Sequence, residues 1–166
     1  NPTLVKSSTI GRLVKSGLHR AKFGIEAGTD QIRNQIFKRP GKNSQIIKLA
    51  HEIANYNVKI RYDLILDIPY DTEDTLKETI GLLLELQTIA FNLYSLQYFP
   101  DYPLTQKALS DGHIQEDEAG LDTLAQRLFR TWGFAPALFP FTKKQMLQNI
   151  VWLMAFGHTG DPIVRD

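Results

Sequence analysis

Apolar side chains recur at Leu4, Val5, Ile10, Leu13 and Val14, close to the spacing of one helix face, and Gly17 is a natural stop. The stretch LHRAKFGIE, residues 18–26, then changes to strand alternation, with Ala21, Phe23 and Ile25 opposite Lys22, Gly24 and Glu26. Thr29 or Asp30 can cap a short helix through Ile32 and Ile36. It should end near Lys38-Arg39-Pro40-Gly41, because proline disfavours helical geometry in the residue before it. Asn43 or Ser44 is the expected cap of a second helix that turns Ile46, Ile47, Leu49, Ala50 and Ile53 to the core.

A second strand is predicted over Val58 to Asp67, closed by Pro69. Asp71 and Asp74 have the spacing of an acidic capping box, followed at helical period by Leu76, Ile80, Leu83, Leu84 and Gln87. The third strand, Phe91 to Phe99, is aromatic-rich and ends at Pro100. Helices follow over residues 103–109 and 116–131, the latter with Leu121, Leu124 and Leu128 on one face. After an aromatic and proline-rich loop, 132–141, Thr142 caps a last helix to about Phe156, and 157–166 reads as a loose tail.

Strand and helix thus alternate three times, the signature of a parallel sheet with right-handed crossovers. Three strands are too few for a closed barrel, which typically takes eight strands and ~250 residues. The predicted class is α/β: a partial (β/α) barrel fragment of about three parallel strands with flanking helices, plus a helical carboxyl-terminal tail.

In the second strand Tyr62, Leu64, Leu66 and Ile68 share one face, and Lys59, Arg61, Asp63, Ile65 and Asp67 the other. The apolar set should meet the helices, which leaves the polar set on the side that would be the inside of a barrel. The third strand gives no decisive polar side. Unpaired buried charge costs several kcal/mol per ion, so Glu26, Asp63 and Asp67 require cations, donors, water or a ligand. Sites in parallel α/β sheets lie at the carboxyl ends of strands, where Glu26 and Asp67 fall. Structural ion pairs of Glu26 with Lys22 or Arg61, and of Asp63 with Arg61, remain an open alternative.

Composition narrows the chemistry. The chain has 166 residues, 43% of them hydrophobic, and a formal net charge of +1, which suits one globular domain. Its 19 basic and 18 acidic residues are interspersed, so the sequence supports neither a basic nucleic-acid face nor a membrane-binding surface. No apolar run approaches the ~20 residues that span a bilayer, and a cytoplasmic setting is expected. Cysteine is absent, which removes disulfides, thiolate nucleophiles and iron–sulfur ligation by this chain alone. His19, His51, His113 and His158 have no metal-site spacing, Met146 and Met154 read as core filler, and Gly24 and Gly28 do not form a dinucleotide fingerprint.

The order GIEAGTD, FKRPGK, YDLILDIPYDTEDTLKETI and NLYSLQYFPDYPLTQKALSDGHI resembles the second half of radical S-adenosylmethionine enzymes. The likeness is nearest to the class with an upstream cobalamin-binding domain, where a GIESGS strand, a DxPYET turn and an FPGTxL strand end recur. It covers roughly residues 4 to 115. The resemblance implies strands four to six of a partial (β/α)6 barrel over 1–115 and a helical extension over 116–166. It also implies that the family's CxxxCxxC loop, which holds a 4Fe-4S cluster, belongs to a missing amino-terminal half of a larger enzyme, in keeping with the start at Asn1.

By the same resemblance Glu26 contacts the ribose or amino group of S-adenosylmethionine, Arg39 its carboxylate, Asp63 the ribose hydroxyls, Ile65 the adenine, and the Gln97 backbone the adenine edge. Ala27 stands where the family has serine, Asp101-Tyr102-Pro103 where it has Gly-Thr, and Asp67 where many members have glycine. The function implied is an S-adenosylmethionine-positioning fragment, inactive alone, with the cluster and possible cobalamin held elsewhere in the parent. Two alternatives stand beside it: a noncatalytic binding or scaffold module, and a half barrel that self-associates through its exposed strand edge.

Overall fold

The computed structural model of the protein describes residues 1–86, 90–116 and 142–157. Three parallel strands, β1 (Arg20–Glu26), β2 (Lys59–Leu66) and β3 (Ala90–Ser95), form one sheet in the order β1-β2-β3. The described helices are α1 (Ser7–Lys15), α2 (Asn43–Ala54), α3 (Glu73–Glu85), α4 (Pro103–Ser110) and α5 (Lys143–Gly157), with a 3-10 turn at Pro2–Leu4 and a π-helical turn at Ile32–Ile36. This is the α/β half-barrel architecture that the alternation predicts. No described helix is long and apolar enough to cross a membrane. The predicted helix 116–131, the loop 132–141 and the tail 158–166 lie outside the described residues, apart from Glu116.

The outer face of the sheet carries the core. Phe23, Tyr62 and Phe91 occupy matched register positions on the three strands, and their rings stack at 6.1 and 6.2 Å between centroids. Cross-strand aromatic pairs of this kind fix register. Ile25, Ile60, Leu64 and Leu66 extend the layer, and Ile46, Leu49, Ala50 and Ile53 of α2 and Leu82 and Leu83 of α3 cover it. Burial pushes the Tyr62 hydroxyl strongly upward in pKa.

Several local expectations are corrected. Asn43 does not cap α2: its Nδ2 donates to the Gly28 carbonyl at 2.7 Å and its side-chain oxygen accepts from Arg33, while the helix boundary falls at Lys42, whose N–H donates to Gln45 Oε1 at 2.8 Å. The capping box of α3 is formed by Thr72 and Thr75 rather than by Asp71 and Asp74. Leu84 points to solvent, because the buried stripe of α3 runs through Leu76, Thr79, Leu82 and Leu83. Met146 is exposed, not core filler. β3 ends at Ser95, four residues before the predicted Phe99, since its partner β2 ends at Leu66 and leaves a single further bond, from Leu96 N–H to the Leu66 carbonyl at 3.0 Å.

Two polar segments leave the sheet in left-handed geometry. Glu26 and Asp67, at and just past the ends of β1 and β2, have φ of 61° and 59°. Lys38, in the turn that carries Arg39, has φ of 52° and is exposed. Left-handed geometry costs a non-glycine residue roughly 1–2 kcal/mol, and glycine's larger loss of freedom on folding offsets part of that gain. Lys38→Gly is therefore expected to stabilise the protein by about 0.5 kcal/mol, read as a higher urea midpoint with unchanged slope.

Candidate functional site

The site is assembled where β1 and β2 stop. A register shift between Gly24 and Glu26 leaves Ile25 without a partner in the ladder, and the Ala27 N–H donates back to the Ile25 carbonyl at 2.7 Å. Glu26, at positive φ, folds its carboxylate back over Gly24: a Cβ on Gly24 would lie 2.5 Å from Glu26 Oε1. The glycine therefore makes room for the acid. Glu26 Oε1 meets Arg39 Nη1 at 2.8 Å, with the carboxylate 16% and the arginine 45% exposed. The Arg39 turn is held by its own N–H, which donates to the Arg33 carbonyl at 2.9 Å.

Asp63 lies deeper on the same face. Lys22 Nζ approaches its Oδ2 at 2.9 Å, and Asn92 Nδ2 donates to its Oδ1 at 2.7 Å. Lys22 also donates to the Tyr94 hydroxyl at 3.3 Å and lies over that ring, and the bonds to Asp63 and then Tyr94 raise the ammonium pKa. The polar side of β3, which alternation left undecided, is thus the one bearing Asn92 and Tyr94. Asp67 leaves the alternation at its left-handed turn and accepts from Ser95 Oγ at 2.7 Å.

The structure brings Glu26, Arg39 and Asp63 to one face of the sheet. Ile65 is half-buried on that face and packs on a small cluster of Ala27, Ile32 and Ile68. Gln97 lies beyond the end of β3 and is exposed. The structural pairings open at sequence level are corrected: Glu26 takes Arg39 and not Lys22 or Arg61, and Asp63 takes Lys22 rather than Arg61.

One organising residue was missed. Arg33 is 1% exposed, and its guanidinium donates to the carbonyls of Ile25 (3.2 Å), Ala27 (2.8 Å) and Gly41 (3.5 Å), to Asp30 Oδ1 (3.2 Å) and to Asn43 Oδ1 (2.5 Å). It ties the exit of β1 to the Arg39 turn and the start of α2. An arginine in a short amphipathic turn carries no sequence signal that separates it from a solvent-facing one.

Asp71, 8% exposed, accepts from Thr75 Oγ1 at 3.0 Å. Desolvation pushes its pKa up to about 6; the Thr75 bond and Lys144 oppose the shift, and Asp67 adds to it. A carboxyl raised in the folded state stabilises below its unfolded pKa, and that contribution is lost as pH rises through the folded value. Stability should therefore fall by roughly 3 kcal/mol between about pH 4 and 6 on account of Asp71. Asp71→Asn is expected to remove that component, so the wild type minus variant difference in unfolding free energy should decline across the window. A flat difference would sink the assignment.

Among the described residues no group of three His, Asp or Glu side chains could hold a metal ion, and the chain has no cysteine. The residues present therefore do not fit an iron–sulfur cluster. By type, two carboxylates suit hydroxyl or ammonium donors, and a guanidinium suits a carboxylate.

The fold and site define an α/β half barrel with a charged inner face at its strand ends. No protein-family profile matches the chain. It is similar to "Coproporphyrinogen III oxidase, anaerobic 1" of Cereibacter sphaeroides, 27% identical over 138 residues, and to "Oxygen-independent coproporphyrinogen III oxidase" of a second strain of that species, 25% identical over 138 residues. Each match covers 81% of this chain but 30% of the relative, so the chain spans about a third of the length of the curated relatives it matches. These relatives agree with the broad radical S-adenosylmethionine likeness and give no support to the narrower cobalamin-associated class.

Proposed function

We propose that the chain is the second half of a radical S-adenosylmethionine enzyme's barrel, with residues 1–115 supplying contacts to S-adenosylmethionine and the cluster held by another part of the parent protein. The observation that carries this reading is the placing on one face of Glu26, at the carboxyl end of β1 and paired with Arg39, and of Asp63, deeper on the neighbouring parallel strand β2. In it Glu26 and Asp63 receive donors of the amino group and ribose, Arg39 receives the carboxylate, Ile65 offers an apolar surface to the adenine, and Gln97 its backbone to the adenine edge. A cluster held outside this chain would supply the one electron that cleaves S-adenosylmethionine to methionine and a 5'-deoxyadenosyl radical. This chain's own residues orient the ligand, and orientation is the larger share of what a scaffold contributes. The DIPYDTED turn adds a finer element, the cobalamin-associated class, which a cobalamin requirement of the parent enzyme would test.

The parent protein, expressed from its full reading frame and reconstituted without oxygen, is expected to cleave S-adenosylmethionine to 5'-deoxyadenosine. Glu26→Gln and Asp63→Asn should each weaken S-adenosylmethionine binding by ~10-fold, the size of a charged hydrogen bond. A reading frame without a CxxxCxxC loop, or binding indifferent to both variants, overturns the proposal. A second reading, a noncatalytic barrel-type binding or scaffold module, is favoured by the two ion pairs at 2.8 and 2.9 Å, which satisfy both acids without a ligand. Cleavage by the parent removes it.

A further inference from the structure

The inner face of the sheet divides along the strands. Glu26, Asp63 and Asn92 occupy its carboxyl-terminal half. In the other half Arg20 is in register with Lys59 and Lys22 with Arg61. Alternation puts all four cations on one face, since the intervening Ile60 is buried in the core on the other and Ala21 packs against that core. Strands ~4.8 Å apart and alternate residues ~6.6 Å apart along each strand make this a compact rectangular array of positive charge. Like charges directly opposite each other destabilise a sheet. Lys22 alone of the four has an acid partner, Asp63; Arg20, Lys59 and Arg61 are exposed and make no ion pair among the described residues. On β3 the residue matched to Arg61 is Ala90, which adds no compensating charge.

We infer that this array is a docking surface for an extended acidic polypeptide segment with carboxylates at alternate positions. Charge complementarity sets the chemistry, and the repeat sets the conformation: an extended chain presents alternate side chains ~6.6 Å apart, the interval of Arg20 to Lys22 and of Lys59 to Arg61. Position separates this occupant from a reacting ligand, because parallel α/β barrels carry out their chemistry at the opposite, carboxyl-terminal end. The surface is argued from charge and register alone, and its test reads peptide binding rather than S-adenosylmethionine cleavage, so the failure of one is distinguishable from the failure of the other.

The test is a titration of the 166-residue chain against a fluorescein-labelled short peptide of alternating Glu and Thr, followed by anisotropy. Saturable binding that weakens with added salt is expected. Lys59→Gln with Arg61→Gln should weaken it by ~5-fold or more, while Lys15→Gln with Lys48→Gln, on the outer helices, should not. Lys59→Glu with Arg61→Glu should transfer preference to the Lys and Thr version of the peptide, a gain that misfolding cannot produce. No saturable binding at low salt, equal losses in the inner-face and outer-helix variants, or citrate binding as tightly as the peptide would each overturn the inference, the last in favour of a small polyanion.

Discussion

Arg33→Ala should cost about 3 kcal/mol or more of unfolding free energy. The guanidinium lowers its own pKa by burial, partly offset by Asp30, and yet stays charged because five acceptors surround it. Removing it strands the Ala27 carbonyl and the Asn43 amide oxygen, while the Ile25 carbonyl keeps the Ala27 N–H, and each buried acceptor without a donor costs roughly 1–3 kcal/mol. The Asp30 pair adds less, since Asp30 is 41% exposed and screened by water. Arg33→Lys should recover only part of the loss, because a single ammonium cannot reproduce a planar fork. Urea unfolding measures the cost, and hydrogen exchange of the Arg39 amide, which donates to Arg33, should accelerate. A loss under about 1 kcal/mol would mean that water replaces the guanidinium and that the clamp is not what holds the Arg39 turn.

Gly28→Ala is the second large effect. A Cβ there would lie 2.5 Å from Thr79 Cα, so the added methyl meets the backbone of α3 rather than a side chain that can rotate away. Overpacking typically costs 1–3 kcal/mol, and contact with backbone places this case near about 3 kcal/mol. The strain would also pull on the Asn43 bond to the Gly28 carbonyl and on the seat of α3, so the variant should lose thermal stability with its secondary structure intact. A neutral substitution would show that α3 shifts freely on the sheet. The neighbouring Ala27 fits this picture: it is 3% exposed against Ile32 and Ile68, where a serine hydroxyl would have to find a partner.

Much of the site was legible before any coordinates. Alternation put Lys22 and Asp63 on one face, where they pair; Glu26 falls past a register shift opposite Leu64, and its carboxylate reaches Gly24 through a left-handed reversal that alternation does not contain. Alternation puts Gly24 on the polar face, but its role there, steric room for a carboxylate, is set by the fold. Asp67 stood out as a departure from glycine; its φ of 59° shows why glycine suits the position and why its side chain leaves the strand parity. Asn43 and Asp71 have ordinary helix-cap spacing, and each is drawn instead into a contact that local pattern cannot contain.

The sequence by itself determined the three β/α units, their parallel order and which side of each of the first two strands is polar, because a period of two or of 3.6 is a local property of the chain. Tertiary structure decided the rest: Arg39 rather than a strand cation for Glu26, Asn92 and Tyr94 as the polar side of β3, Arg33 as the clamp, and four dispersed cations gathered into one array. Those outcomes depend on strand register and on left-handed reversals at strand ends. Both are set by how whole elements pack, and hydrophobic periodicity carries no record of either.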